Sequence, residues 1–430
     1  MIRMIRRTSF GMIALVAVLA LAGCTTDALM LQLQQTPLIR PDALTPADVP
    51  AANRLLVIDS DGNVVTVDPD GTDRFALTTD ASATRQYLQP TWAPGAQQIA
   101  WTEVETAGEE QITKLVTVSF DGAHRAEAEV PFAPFYIFWS PLGDKLAYLS
   151  NWDRFSVPSM ALRVADVPGP ATADTSAARD LTVRTVAEGS PFYFSWNPGG
   201  DRLVTHVGNE TLQLQDLDGA RTALAEQPGD FPAPHWTREG ERLVYAVSED
   251  GLQRLVIAGL DGTIEKELTD FSSRIAFAVN ADASQAAYVV TDAAVTMAAL
   301  GPLYVVDMET LATRELTERP TVAFFWSPDG QKLAYMTAEN SATGLRFRWW
   351  VWDGVTNRDF GAYLPTRLFF QSYLAFFDQY GQSMNLWSPD SSAFAYPGMR
   401  ERLSGIWVQQ LEEETPRWIG RGTFVAWSPQ

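Results

Sequence analysis

Short apolar runs rich in aromatic and β-branched residues recur along the chain, each ended by a cluster of turn-forming residues. In Val322–Met336 the run VAFFW is followed by Ser-Pro-Asp-Gly and then by a second apolar run, LAYM. Pro presets one turn dihedral and Gly supplies the positive φ that a tight hairpin needs. Aromatic and β-branched residues on both sides read as strands. The pattern predicts a β-hairpin with Trp326 at its corner.

The same pattern returns as QPTWAPGAQQIAWTEV, YIFWSPLGDKLAYLS, YFSWNPGGDRLVTHV, APHWTREGERLVYAV, IAFAVNADASQAAYVV and MNLWSPDSSAFAYPG, and the chain stops at TFVAWSPQ. Its corner positions are Trp92, Trp139, Trp196, Trp236, Val279, Trp326, Trp387 and Trp427, at intervals of 47, 57, 40, 43, 47, 61 and 40 residues. Such a period marks β-propeller blades. Each corner is followed by further strand signals, and Asp121-Gly122, Asp218-Gly219, Asp261-Gly262 and Asp353-Gly354 mark hairpins between third and fourth strands. One unit is therefore four strands.

The two ends complement each other. Asn53–Thr79 holds three strands with no preceding corner, and TFVAWSPQ holds a corner with no strands after it. Together they make one more unit, in which the C-terminal strand joins the N-terminal blade and leaves no unpaired edge at the seam. The expectation is an all-β propeller of eight four-stranded blades over 53–430. Seven is the alternative if the degenerate copy at Val279 does not form a blade.

Residues 1–23 differ in kind. Arg3, Arg6 and Arg7 precede the apolar run GMIALVAVLALA, which is too short to span a bilayer, and the segment ends in LAGC at Cys24. Small residues before a cysteine here resemble a bacterial lipobox, which implies removal of 1–23 and lipidation of Cys24. Cys24 is the only cysteine, which excludes a disulfide within the chain. Residues 24–52 contain Pro37, Pro41, Pro46 and Pro50 and no strand pattern, and read as a flexible tether. The expected location is the cell envelope, on a membrane through the lipid.

Charge narrows the partners. The formal net charge is −20, and removing residues 1–23 takes away three more arginines. That balance argues against nucleic acid and against adhesion to anionic lipid, and favours a protein or peptide partner of basic or neutral character.

The repeats typified by WSPDGQKLAYM resemble those of TolB-type β-propellers, relatives of the WD-repeat family, and are similar to the propellers of prolyl oligopeptidases. The resemblance covers Asn53–Gln430 and implies the fold; its motif residues belong to turns and packing. TolB carries a separate N-terminal domain that has no counterpart here, so its cellular role is not implied.

Signals for chemistry are sparse. No G-x-S-x-G elbow occurs, and no segment is left over for a hydrolase domain. His124, His206 and His235 fall in three different units, without a metal-ligand cluster. The turns DSDGN and DPDGTD lack the glycine and glutamate spacing of a calcium loop. No cofactor is expected.

The informative irregularity is the 61-residue interval before Trp387, with its long connection Ala362–Trp387. It links an outermost strand to the next innermost one, on the face opposite the corners. There it is expected to bring Arg367, Asp378, Gln379 and Tyr380 to the channel mouth. Neighbouring connections add Tyr136, Tyr193 and His235, and Phe369, Phe370, Phe376 and Phe377 are expected as anchors. A binding site of this kind uses aromatic walls and a few polar groups; the alternative is that the same residues plug the channel. The functional expectation is a monomeric, non-catalytic binding scaffold. The alternatives are a channel enzyme acting on sugars or an accessory subunit of a peptidase.

Overall fold

The computed structural model describes residues 52–152, 159–169, 179–208, 210–225, 232–291, 300–341 and 344–430. The leader, Cys24 and all but the last residue of the tether expected over 24–52 lie outside the described residues. Among the described residues, no helix is long and apolar enough to cross a membrane.

The described chain is all-β, and its strands form consecutive antiparallel meanders. The first sheet joins Leu55–Asp59, Val64–Val67 and Phe75–Ala76 to the last strand, Gly422–Trp427. The second begins at Arg85–Trp92, the third at Tyr136–Trp139, the fourth at Pro191–Trp196 and the fifth at His235–Trp236. Each has four antiparallel strands; the second carries a fifth, Arg179–Asp180, laid parallel on its outer edge.

From Arg274 onward, ten strands form one continuous sheet rather than separate fours. Thr313–Trp326 is a single 14-residue strand, pairing with Gly301–Asp307 through its first half and Leu333–Ser341 through its second. Pairs Leu364–Met399 and Pro365–Gly398 carry the ladder onward to Ala393–Arg400. The degenerate copy at Val279 is a full strand, Arg274–Val279, paired with Gln285–Thr291.

The corners share one hydrogen-bond scheme. In seven of them among the described residues, the residue after the corner position donates its N–H to the carbonyl five places on. The same residue accepts from the N–H three places on; it is Ala93, Ser140, Asn197, Thr237, Asn280, Ser327 or Ser388. The residue closing the smaller ring has positive φ each time, from +55° at Ala96 to +72° at Gly240. Glycine occupies four of these seats, whereas Ala96, Ala283 and Ser391 take the left-handed conformation themselves. The aspartates of the two Ser-Pro-Asp turns bond their own turns. Asp329 accepts from the Gln331 N–H and Asp390 from the Ser392 N–H.

The corner tryptophans hold neighbouring sheets together. Trp139 donates its indole N–H to the Thr91 carbonyl, Trp196 to Phe138, Trp236 to Ser195, Trp326 to Ala278 and Trp387 to Phe325. Every acceptor is the residue just before the preceding corner. Val279 has no side-chain N–H to give, so the link an indole would make there is missing. Trp427 donates instead to the Asn53 side chain. Trp326→Phe should therefore cost about 1–2 kcal/mol in chemical denaturation, since the Ala278 carbonyl loses its partner while most apolar area is kept. A change below a few tenths of a kcal/mol would mean the indole bond is incidental.

Apolar side chains between consecutive sheets form the core. Ala100, Leu115, Leu146 and Tyr148 fill the space between the second and third sheets. The last strands of the chain and the first pack in the same way: Ala393, Ala395, Ile406 and Val408 meet Leu55, Val57, Val65 and Val425.

Candidate functional site

In a meander of this kind the corners lie at one end of the strands. The second-to-third hairpins and the outer-to-inner connections lie at the other. The long connection starts at that second end, after Asn357–Pro365, where the Thr366 hydroxyl donates to the Thr423 carbonyl. Phe369, Tyr373, Leu374 and Phe377 recur at near-helical spacing, and the segment winds into three successive short turns that bury all four. It then runs extended to Trp387, whose single bridge to Phe394 is all that remains of an inner strand there.

Each inner strand has one backbone edge that no strand of its own sheet covers, and buried N–H and C=O groups need partners. The connection supplies them. The Gln379 side chain behaves like a peptide of an adjacent strand: its Oε1 accepts from the Phe194 N–H at 3.0 Å, and its Nε2 donates to the Phe194 carbonyl at 2.9 Å. The same Nε2 lies 2.8 Å from the Tyr136 hydroxyl. Asp378 accepts from the Ala233 N–H at 3.1 Å, and the Tyr380 hydroxyl donates to the Phe135 carbonyl at 3.0 Å. Gln382 accepts from the Ser195 hydroxyl at 2.6 Å and donates to the Pro234 carbonyl. Ring contacts complete the seal, with Tyr136–Tyr380 at 5.0 Å, Tyr373–Tyr380 at 4.6 Å and Phe324–Phe377 at 4.7 Å.

The residues singled out from the sequence thus converge, but as a plug. Tyr136, Tyr193, His235, Asp378, Gln379 and Tyr380 are all buried, whereas the sequence reads them as polar and aromatic groups presented at a channel mouth. The reason is backbone demand: the inner strands need partners more than the solvent needs a display. Arg367 stays apart, exposed at the start of the connection and donating to Gln371. Of the four expected anchors, Phe369 and Phe377 are buried, Phe370 is half-buried and Phe376 is exposed against Phe192. Sequence reasoning missed Gln382 and Ser195. The available signal was the run of polar residues after Tyr380 in a segment otherwise apolar enough to be core.

Burial sets the electrostatics. It pushes the Asp378 carboxyl up to about 6 against the backbone N–H groups and the Tyr193 hydroxyl that favour its charge. It pushes His206 down to about 4 and His235 down to about 3. His235 packs its ring 5.0 Å from Phe277, and its Nε2 has no hydrogen-bond partner among the described residues. Asp378 therefore favours the folded state most when protonated. Its contribution is largest below the unfolded value near 4 and is lost as pH rises through 6. Asp378→Asn keeps an oxygen for the Ala233 N–H and removes the buried charge. At pH 8 it should be more stable than the parent by on the order of 3 kcal/mol, and the difference should vanish by pH 4. A variant less stable at pH 8, in denaturant titrations at both pH values, would show that the carboxylate is needed as a charge.

On the corner side of the plug lies a cavity of about 280 Å³. Its lining includes Trp92, Trp139, Trp326, Trp387 and Trp427, with Gln382–Asn385 contributed by the plug, and it contains no charged residue. Among the described residues, no group of three or more His, Cys, Asp or Glu is placed to hold a metal ion.

Successive antiparallel meanders, each packed on the next and joined at their inner corners, define a β-propeller. No family model and no curated protein matches the chain. Solved propellers do resemble it. The propeller domain of the Trilobed protease from Pyrococcus furiosus is 14% identical, with 79% of this chain and 97% of that one covered at a TM-score of 0.49. TolB from Acinetobacter baumannii is 13% identical, with 79% and 84% covered at 0.38. An oligogalacturonate lyase from Vibrio parahaemolyticus is 12% identical, with 75% and 85% covered at 0.47. Likeness at this level says nothing about activity, and the assignment rests on the sheet topology.

Proposed function

We propose that this chain is a non-catalytic protein-binding scaffold: a ring of eight four-stranded blades, tethered to a membrane of the cell envelope through a lipid on Cys24. One observation carries the reading. Asp378, Gln379 and Gln382, polar groups that enter the channel, are engaged by the protein's own inner strands and by the residues leading into them. Groups already bonded to backbone have little capacity left for a substrate, and binding falls to the outer faces.

Seven corner turns with one bonding scheme support the blade count, with an eighth unit made from the two chain ends. The ten-stranded run is then three blades whose connecting strands happen to be continuous.

The test is recovery of the native protein from membranes after cross-linking, beside Cys24→Ser. The scaffold reading expects a stoichiometric protein partner with the parent, and a soluble or unprocessed product with Cys24→Ser. Membrane attachment unchanged by Cys24→Ser would remove the anchor. Turnover of a peptide or glycan by the purified protein, abolished by Asp378→Asn, would overturn the non-catalytic role.

A further inference from the structure

The face that carries the long connection is electrically divided. Around the first five sheets its hairpin tips and connections bear Asp61, Glu109, Glu110, Glu210, Glu249 and Asp250. Around the last strands, the same face bears Arg319, Arg346, Arg367, Arg400, Arg402 and Arg421. The acids interleaved there are Glu318, Glu339 and Glu401, and Glu339 is already paired with Arg348. In a chain of formal charge −20, this sector has the opposite sign.

Four of these arginines, Arg319, Arg367, Arg400 and Arg402, enter no ion pair among the described residues. Three of them are held nonetheless. Arg319 lies 4.5 Å over the Trp350 ring, Arg367 bonds Gln371, and Arg400 donates to the Phe360 carbonyl and the Tyr396 hydroxyl. Such contacts orient a guanidinium while leaving its charge uncompensated, which suits recognition of carboxylates.

The second observation is apolar. Two neighbouring hairpin tips in this sector, at Ser341–Gly344 and Arg400–Leu403, each expose a leucine: Leu345 and Leu403 are both 46% accessible. Apolar side chains this exposed at hairpin tips add little to the core, and with Arg402 next to Leu403 in the chain they give this face a mixed character.

We propose that this sector binds an acidic, leucine-bearing segment of a protein partner, with carboxylates on Arg367, Arg400 and Arg402 and apolar side chains against Leu345 and Leu403. The inference rests on the protein-binding reading and gives that partner a chemistry. It also reverses, locally, the basic partner expected from net charge. A purely anionic glycan would leave the leucines unrelieved.

The full chain would be titrated with a labelled peptide of alternating Glu and Leu, its Gln–Leu counterpart, polyglutamate, and phosphatidylserine vesicles, at low and physiological salt. Expected is salt-sensitive binding of the Glu–Leu peptide, weakened at least tenfold by Arg367→Glu with Arg402→Glu and several-fold by Leu403→Ser. Arg85→Glu, in the acidic sector, should leave it unchanged, and Arg402→Gln gives a milder variant should charge reversal disturb folding. Equal binding of the Gln–Leu peptide, tighter binding of polyglutamate or vesicles, indifference to the arginine variants, or no peptide binding would each overturn the assignment. Membrane recovery of a partner whose binding ignores these arginines would sink the patch and leave the scaffold standing.

Discussion

Deletion of Thr423–Gln430 should unfold the protein rather than merely shorten it. The strand Gly422–Trp427 pairs with Leu55–Asp59 along its length, and Phe424, Val425, Ala426 and Trp427 are all buried. Fully burying a large apolar side chain contributes about 1.5–3 kcal/mol. Losing three of them together with a ladder approaches the entire stability of a typical domain, about 5–15 kcal/mol. The deletion would also bare the edge of Leu55–Asp59 and one side of the core shared with Ala393 and Val408. The expected result is insoluble protein or loss of a cooperative thermal transition. Trp427→Ala, a smaller lesion, should cost about 3–5 kcal/mol. A truncated protein that melts cooperatively within a few degrees of the parent would show that the first three strands stand without their fourth.

Acid should destabilise the protein in part through two histidines. His206 and His235 are pushed down to about 4 and about 3 by burial, from an unfolded value near 6.5. Their folded values are depressed because the neutral ring is the buried form. Above pH 6.5 neither costs anything; as pH falls from 6.5 toward 3, the unfolded chain takes up protons the folded one refuses. The shifts correspond to roughly 3 and 5 kcal/mol, enough together to outweigh the opposite contribution of Asp378 between pH 4 and 6. His235→Phe, which keeps a ring against Phe277, should lower the midpoint of acid unfolding by about one pH unit, followed by circular dichroism. An unchanged midpoint would place the acid sensitivity elsewhere.

Much of this architecture was legible in the residues because its signals are local. A Trp-Ser-Pro-Asp-Gly corner dictates a turn whatever surrounds it, and its recurrence dictates a meander that repeats. Even Asn280–Ala283, without Trp or Gly, closes the same two hydrogen bonds as Ser327–Gly330. The candidate site was legible only in part. Tyr136, Tyr193, Asp378, Gln379 and Tyr380 do come together, but a polar residue in a long connection reads alike whether it faces solvent or a strand edge. The side chains of Gln379 and Gln382 could be assigned to the interior only once the unpaired edges of Pro191–Trp196 and its neighbours were in place.

By itself the sequence determined the turns, the strand repeat and the complementarity of the two chain ends, because hairpin dihedrals and alternating burial are properties of a few consecutive residues. Tertiary structure alone decided three things. The corner indoles reach the carbonyl before the preceding corner, the ladder runs unbroken through Thr313–Trp326, and the long connection turns inward. For the indoles and the long connection the partner lies tens of residues away or more, whereas Thr313–Trp326 pairs with strands close to it in sequence. In all three the demand, an unpaired carbonyl or a bare strand edge, arises only when the sheets stand side by side.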